Sequence, residues 1–190
     1  MCCVTRIVAG SLGGRRIAVP ARGTRPTSER VREAMFSAID SRMDLTGARV
    51  LDCYAGSGAL GIEALSRGAG YALFVESDRR AAAVLAENLG RLGVRGAAVR
   101  TSTVESFAAG RAGTAGEPFD LVVADPPYAL PAGSLHSVLA CLVSNGWLAH
   151  GALLAIERPA RTGEPAWPDG VESLTTRRYG DTLVCYGRRP

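Results

Sequence analysis

Lysine is absent. All 22 basic residues of this 190-residue chain are arginine, set against 18 acids. Compositional bias of the source genome accounts for most of that imbalance, so the positions of the arginines say more than their number. Long apolar runs are missing too. Although 47% of residues are hydrophobic, no run approaches the ~20 residues that span a bilayer, so a soluble globular protein is expected. Cysteine is sparse: residues 2, 3, 53, 141 and 185 form an odd, scattered set without a Cys-x-x-Cys pair. That argues against a disulfide framework and a zinc site, and for a reducing cytoplasm. The opening MCCVTRIVAG lacks a basic segment followed by an apolar core, so no secretory signal is expected. There is no internal repeat.

What is present is unevenly placed. Residues 1–42 carry eight arginines (6, 15, 16, 22, 25, 30, 32 and 42) and three acids (29, 33 and 40), a balance of +5. The rest of the chain carries fourteen arginines and fifteen acids, or −1, which together gives the overall +4. Positive charge gathered at one end is the pattern of a segment that grips a polyanion. The length suits one domain with a large core and a small appendage.

The chain is organised around residues 50–61, VLDCYAGSGALG. Val50-Leu51-Asp52 reads as a buried parallel strand that ends in an acid. Glycines at 56 and 58 give a tight turn, and Leu60, Ala64 and Leu65 have helical spacing. Side chains on Gly56 or Gly58 would obstruct a ligand approaching the backbone, and a helix start leaves N–H groups to meet it. Gly56-x-Gly58-x-x-Gly61, with Glu76 twenty residues after Gly56, indicates a nucleotide-type cofactor. The same spacing serves dinucleotides, whose pyrophosphate needs those glycines. Asp52 tilts the choice, because an anion there repels a pyrophosphate and attracts an ammonium or sulfonium.

Before this stretch, Arg6–Ala9 and Arg16–Val19 read as two β runs of a hairpin edged with arginine. From Thr27, the residues Val31, Ala34, Met35, Ala38 and Ile39 form one helical face, with Glu29, Arg30, Arg32 and Glu33 around the other. Thr27 or Ser28 is the natural N-cap. After it, strands at 71–76, 97–101, 119–124 and 152–157 alternate with helices at 78–92, 104–109 and 134–143. Two final runs, 171–179 and 182–187, make an antiparallel hairpin. Such alternation specifies a parallel sheet covered on both faces.

Asp125-Pro126-Pro127-Tyr128 follows the strand at 119–124, at the carboxyl edge where open α/β sheets bind ligands. Two prolines stiffen the turn and fix a carboxylate and a backbone carbonyl towards one point. Those two acceptors suit the two N–H donors of an exocyclic amine. Tyr128 offers a face for a base to stack on, worth ~1–3 kcal/mol. A methyl donor with an amino group, a sulfonium and a ribose diol, S-adenosylmethionine, suits both strand-end acids.

LDCYAGSG, Glu76 and DPPY resemble a class I S-adenosylmethionine-dependent methyltransferase acting on an exocyclic nitrogen. RIVAGSLGGRRIAVP, RPTSERVREAMF, LDCYAGSGALGIEALSRGA, DPPY and NGWL together resemble the RsmD family, over nearly the whole chain. That resemblance implies methylation of N2 on one guanine of bacterial 16S ribosomal RNA, at the family's position 966. It implies that Tyr54, Ala55, Gly56, Ser57 and Gly58 pass the methionine part of the cofactor, with Asp52 near its amino group. Glu76, followed by Ser77, takes the ribose hydroxyls, and Thr27 approaches the carboxylate end. Asp125 and Pro126, with Pro127 and Tyr128, hold the guanine. Thr103 and Val104 stand where many class I enzymes place an Asp or Asn for the adenine amine.

The expected architecture is a Rossmann-like seven-stranded sheet, mostly parallel with the last strand reversed and helices on both faces. Residues 1–24 form a β-hairpin extension and residues 25–190 the methyltransferase domain. Arg6, Arg15, Arg16, Arg22, Arg25 and Arg30 are the candidate RNA contacts, and RNA grip should be separable from cofactor grip. A monomer needing no metal or membrane is expected, acting on 16S ribosomal RNA either naked or in a partly assembled small subunit. The alternatives are an amino-methyltransferase for another nucleic-acid base or a dinucleotide-dependent oxidoreductase.

Overall fold

The computed structural model describes residues 3–20, 28–113 and 116–190. Strands β1 (Cys3–Arg6) and β2 (Arg16–Val19) pair antiparallel, and α1 (Glu29–Asp40) follows. Then come β3 (Arg49–Cys53), α2 (Ala59–Ser66), β4 (Tyr71–Glu76), α3 (Arg79–Leu92), β5 (Ala97–Thr101), α4 (Val104–Ala108) and β6 (Phe119–Ala124). The chain ends with α5 (Ala132–Ser144), β7 (Leu148–Pro159), β8 (Glu172–Tyr179) and β9 (Thr182–Arg188). The large sheet runs β5-β4-β3-β6-β7-β9-β8. Within this sheet β9 alone runs against the other six strands, as expected for a reversed last strand.

Each central strand feeds two cores because successive side chains point to opposite faces. Val50, Leu121, Val123, Leu153 and Ala155 pack with α1, α2, α3 and the N-terminal hairpin. Leu51, Val122, Ala124, Leu154 and Ile156 pack with α4, α5 and Trp147. The NGWL segment joins α5 to β7: Gly146 takes a left-handed turn, and Trp147 is buried with its indole N–H on the Gly110 carbonyl at 2.8 Å.

Two expectations need correction. The first hairpin strand lies at Cys3–Arg6 rather than Arg6–Ala9, because the Val8 and Ala9 amides donate to the Glu63 carboxylate (2.7 and 3.0 Å) instead of to a ladder. Arg32 is not on the polar face of α1. It is fully buried, donating to Thr5 Oγ1 and the Arg6 carbonyl, with its Nε 3.5 Å from Glu63 Oε2. Ser28 is the N-cap, its hydroxyl accepting from the Val31 amide.

Candidate active site

Strands β3, β4 and β6 end side by side: Cys53 pairs with Val75 on one flank and Ala124 on the other. Tyr54, Glu76 and Asp125 therefore come level at the carboxyl edge. The β3–α2 turn is tight, with left-handed backbone at Tyr54 (φ 61°), Gly56 (φ 53°) and Gly58 (φ 82°). Among the described residues Tyr54 is the only non-glycine with positive φ, a conformation that concentrates at functional sites. Glu76 grips this turn through its backbone. Its Oε2 accepts from the Gly56 amide and its Oε1 from the Asp78 amide, both at 2.8 Å. Asp78 caps α3 by accepting from the Arg80 and Ala81 amides. The Glu76 carboxylate is thus fixed in place, and each oxygen keeps a second lone pair for a ligand.

A cavity of about 370 Å³ opens over this edge. Of the residues singled out in the sequence, Tyr54, Gly56, Glu76, Ser77, Thr103, Val104, Asp125 and Pro127 line it. Pro20, Val75, Asp78, Ala81, Glu105 and Leu130 complete the described lining. Val75, Ala81, Val104 and Leu130 give it apolar walls. Four carboxylates face it (Glu76, Asp78, Glu105 and Asp125), and no basic side chain does among the described residues. Thr103 caps α4, its hydroxyl accepting from the Ser106 amide, so Glu105 is carried to the cavity on the first turn of that helix. The Tyr54 hydroxyl lies 3.4 Å from Glu105 Oε1. Burial and then the Glu105 charge push its phenol up, so it stays a neutral donor.

Asp52, Ala55, Ser57, Gly58 and Pro126 lie behind this surface. Asp52 is 1% exposed and accepts from the Gly61 amide at 2.8 Å, anchoring the end of β3 to the first turn of α2. Burial raises its carboxyl well above the usual range, against the Gly61 N–H, which lowers it; Asp125 and Glu76 push it further up. The helix start is therefore partly satisfied from within the protein. The glycines also divide their work differently from expectation. A Cβ on Gly58 would sit 2.2 Å from Leu85 Cδ1, and one on Gly61 2.3 Å from the Phe74 ring. Those two glycines admit protein. A Cβ on Gly56 would meet only open space, so Gly56 is the one that faces the cavity.

Residues 5–188 match the family described as conserved hypothetical protein 95. This chain belongs to that family, the RsmD family. It is 41% identical over 164 residues to "Ribosomal RNA small subunit methyltransferase D" of Escherichia coli K12, spanning 86% of this chain and 79% of the relative. The protein of the same name from Haemophilus influenzae is 33% identical over 153 residues, spanning 80% and 77%. The solved structure of yhhF from Escherichia coli superposes with a TM-score of 0.86 at 36% identity, covering 98% of both chains. The fold is that of the class I methyltransferases.

In this member of the RsmD family the Asp125–Tyr128 turn is a partition. Asp125 and Pro127 line the acidic cavity, Pro126 is buried, and Tyr128 is 52% exposed on the other side. The hairpin arginines differ among themselves. Arg6 donates to Glu29 through its amide and its guanidinium (3.1 and 2.9 Å), and Arg15 to the Arg91 carbonyl at 3.3 Å. Arg16 stands directly across the hairpin from Arg6, and both are exposed, as is Arg30. Thr27, Arg22 and Arg25 lie outside the described residues. The hairpin also reaches the β3–α2 turn. Asn88 of α3 exchanges hydrogen bonds with Ala18 of β2, both at 2.9 Å, and donates to the Ser57 carbonyl at 3.1 Å. Pro20, at the end of β2, lines the cavity itself. No local signal marks Pro20 in the sequence, because only the docking of the hairpin brings it there. Glu105 was closer to legible, following Thr103 and Val104 on one helical turn.

Proposed function

We propose that this protein transfers a methyl group from S-adenosylmethionine to the exocyclic N2 of one guanine in the ribosomal RNA of the small subunit. The observation that carries this reading is the charge of the cavity. Four carboxylates and no described basic side chain around an apolar hollow suit a cationic ligand and repel a pyrophosphate. The names carried by the family's curated relatives support the ribosomal substrate.

Glu76 would take the ribose diol on the oxygens that the Gly56 and Asp78 amides hold in place. Val75, Ala81, Val104 and Leu130 would enclose the adenine, with Thr103 and Glu105 at its polar edge. Tyr54, Gly56 and the turn behind it would pass the methionine part, with Asp52 beneath its amino group anchoring that turn through the Gly61 amide. The cofactor supplies a methyl carbon made electrophilic by a positive sulfur. Asp125 and the Pro126 carbonyl would accept the two N–H bonds of the guanine amine, directing the nitrogen lone pair at that carbon. When bound, the cofactor would give that methyl carbon to the nitrogen and keep the electron pair of the broken C–S bond on its sulfur. The surplus proton leaves the nitrogen once the bond is made, and Asp125 balances the positive charge until then. Alignment of the two reactants supplies most of the rate.

Titration calorimetry tests the cofactor assignment. S-adenosylhomocysteine should bind and NAD should not. Glu76→Ala should weaken binding by roughly 1.5–3 kcal/mol per lost charge-assisted bond. Binding of NAD alone would end this reading.

A further inference from the structure

A second cavity, of about 670 Å³, lies beyond the Asp125–Tyr128 turn. Three segments wall it: Tyr128 from the turn, Arg161 from the short 3-10 turn that follows β7, and Arg178 and Asp181 from the β8–β9 hairpin. The walls are tied together, because the Ala160 amide donates to the Asp181 carbonyl at 2.8 Å and Arg178 Nε to the Gly180 carbonyl at 2.9 Å. The Arg161 guanidinium stands 5.7 Å from the centre of the Tyr128 ring, within range of a cation–π contact. Neither arginine has a carboxylate partner within ion-pair distance among the described residues. Two arginines and one carboxylate therefore share a cavity with the ring that takes the target guanine. A nucleotide's sugar and phosphate fit that set: the phosphate takes the arginines, and the ribose 2′-hydroxyl is a donor for the carboxylate. A free anion would use the arginines alone and would be repelled by Asp181.

We propose that this cavity holds the ribose and phosphate of the target nucleotide itself, with Arg161 and Arg178 on the phosphate and Asp181 accepting from the 2′-hydroxyl. The inference rests on the RNA methyl-transfer reading above. In guanine the exocyclic amine and the glycosidic nitrogen belong to different rings. With the amine against Asp125 on one side of the turn and the base on Tyr128, the sugar lies across the base from the acidic cavity, on the side of Arg161 and Arg178. The arginines then hold the backbone of the target nucleotide away from the carboxylates of the first cavity, which would repel it. Asp181 makes the subsite one for ribose rather than deoxyribose.

The experiment uses the full chain and a single-stranded RNA bearing the target guanine. Companion RNAs carry a 2′-deoxy sugar at that guanosine alone, or an uncharged methylphosphonate in place of the phosphate on its 5′ or its 3′ side. With the wild type, the deoxy sugar and one of the two methylphosphonates should each raise the dissociation constant about tenfold. Asp181→Ala should bind the ribose and deoxy RNAs equally, and Arg161→Ala/Arg178→Ala should lose its sensitivity to the methylphosphonate. The double variant's slope of log K on log[salt] should flatten by about 0.7, the share of one single-strand phosphate. S-adenosylhomocysteine affinity and melting temperature should stay unchanged in both variants. A wild type indifferent to every modification, or variants that respond to them as strongly as it does, would overturn the inference; if the wild type still methylates the unmodified RNA, the methyl-transfer reading stands. A loss of cofactor affinity or folding in the variants would overturn it too, by making those side chains structural. A wild type that neither binds nor methylates RNA would remove the methyl-transfer reading, and the inference with it.

Discussion

Asp52 sits at the end of β3, 1% exposed, with one oxygen on the Gly61 amide. In the unfolded chain it titrates near its ordinary 3.8, and in the fold burial raises that value. The folded state thus holds the proton to higher pH. The stability that the protonated group contributes is full below the unfolded value and is lost as pH rises through the folded one. Asp52→Asn keeps an oxygen for the Gly61 N–H and carries no charge at any pH. The melting temperature of the free wild-type protein should therefore fall relative to this variant as pH rises from about 4. An Asn variant that is the less stable of the two at neutral pH would show the buried charge to be compensated. The two turn glycines separate in the same residue-by-residue way. Gly58→Ala forces a Cβ to 2.2 Å from the buried Leu85 at φ 82°. It should cost about 2–4 kcal/mol, combining overpacking with the left-handed penalty. Gly56→Ala should cost only about 1 kcal/mol in denaturant unfolding, with its main loss in cofactor affinity. The reverse ranking would place the ligand against Gly58 instead.

Among the elements, α1 and the hairpin show how charges of one sign divide between structure and surface. The burial of Arg32 was missed although its angular position was in view. At about 100° per residue it falls between Ile39 and Phe36 on the α1 wheel, but arginine reads as polar, and its partner Glu63 lies in another helix. Glu63 serves three elements at once: it pairs with Arg32 and Arg67 and accepts from the Val8 and Ala9 amides. Glu63→Gln should destabilise the protein by about 3–5 kcal/mol, because Arg32 stays buried without its counter-charge. Exposed Arg6, paired with a half-exposed Glu29, adds little to stability, and its cross-strand neighbour is another arginine, an arrangement that hairpins avoid. If that edge grips RNA, replacing Arg6, Arg15 and Arg16 together by Ala should flatten the salt slope of RNA binding by about 2, at ~0.7 per contact. Cofactor affinity should hold. An unchanged slope would return those arginines to edge protection.

At the scale of the molecule, the alternating strands and helices were legible because local periodicity and turn chemistry specify them. The gathering of Gly56, Glu76 and Asp125 at one sheet edge was legible because Glu76 ends, and Gly56 and Asp125 follow, parallel strands that finish side by side. Less visible was everything that depends on docking. The hairpin buries Ile7, Ile17 and Val19, shares Asn88 with the Gly-rich turn and lends Pro20 to the cavity. Deleting residues 1–20 would therefore open the core and the cavity over the β3–α2 turn together, so only surface substitutions can separate RNA binding from binding in that cavity. The cavity beside Tyr128 was equally hidden, since Arg161, Arg178 and Asp181 meet it from distant parts of the chain.

The central claim is methyl transfer to a guanine amine held by Asp125, and nucleoside mass mapping tests it most directly. Small-subunit RNA lacking the modification is treated with S-adenosylmethionine and either wild-type protein or Asp125→Ala, digested and mapped. N2-methylguanosine should appear at a single position with the wild type. It should be nearly absent with Asp125→Ala, although that variant still binds S-adenosylhomocysteine. A methyl group found on adenine or cytosine, or full turnover by the Asp125 variant, would contradict the account.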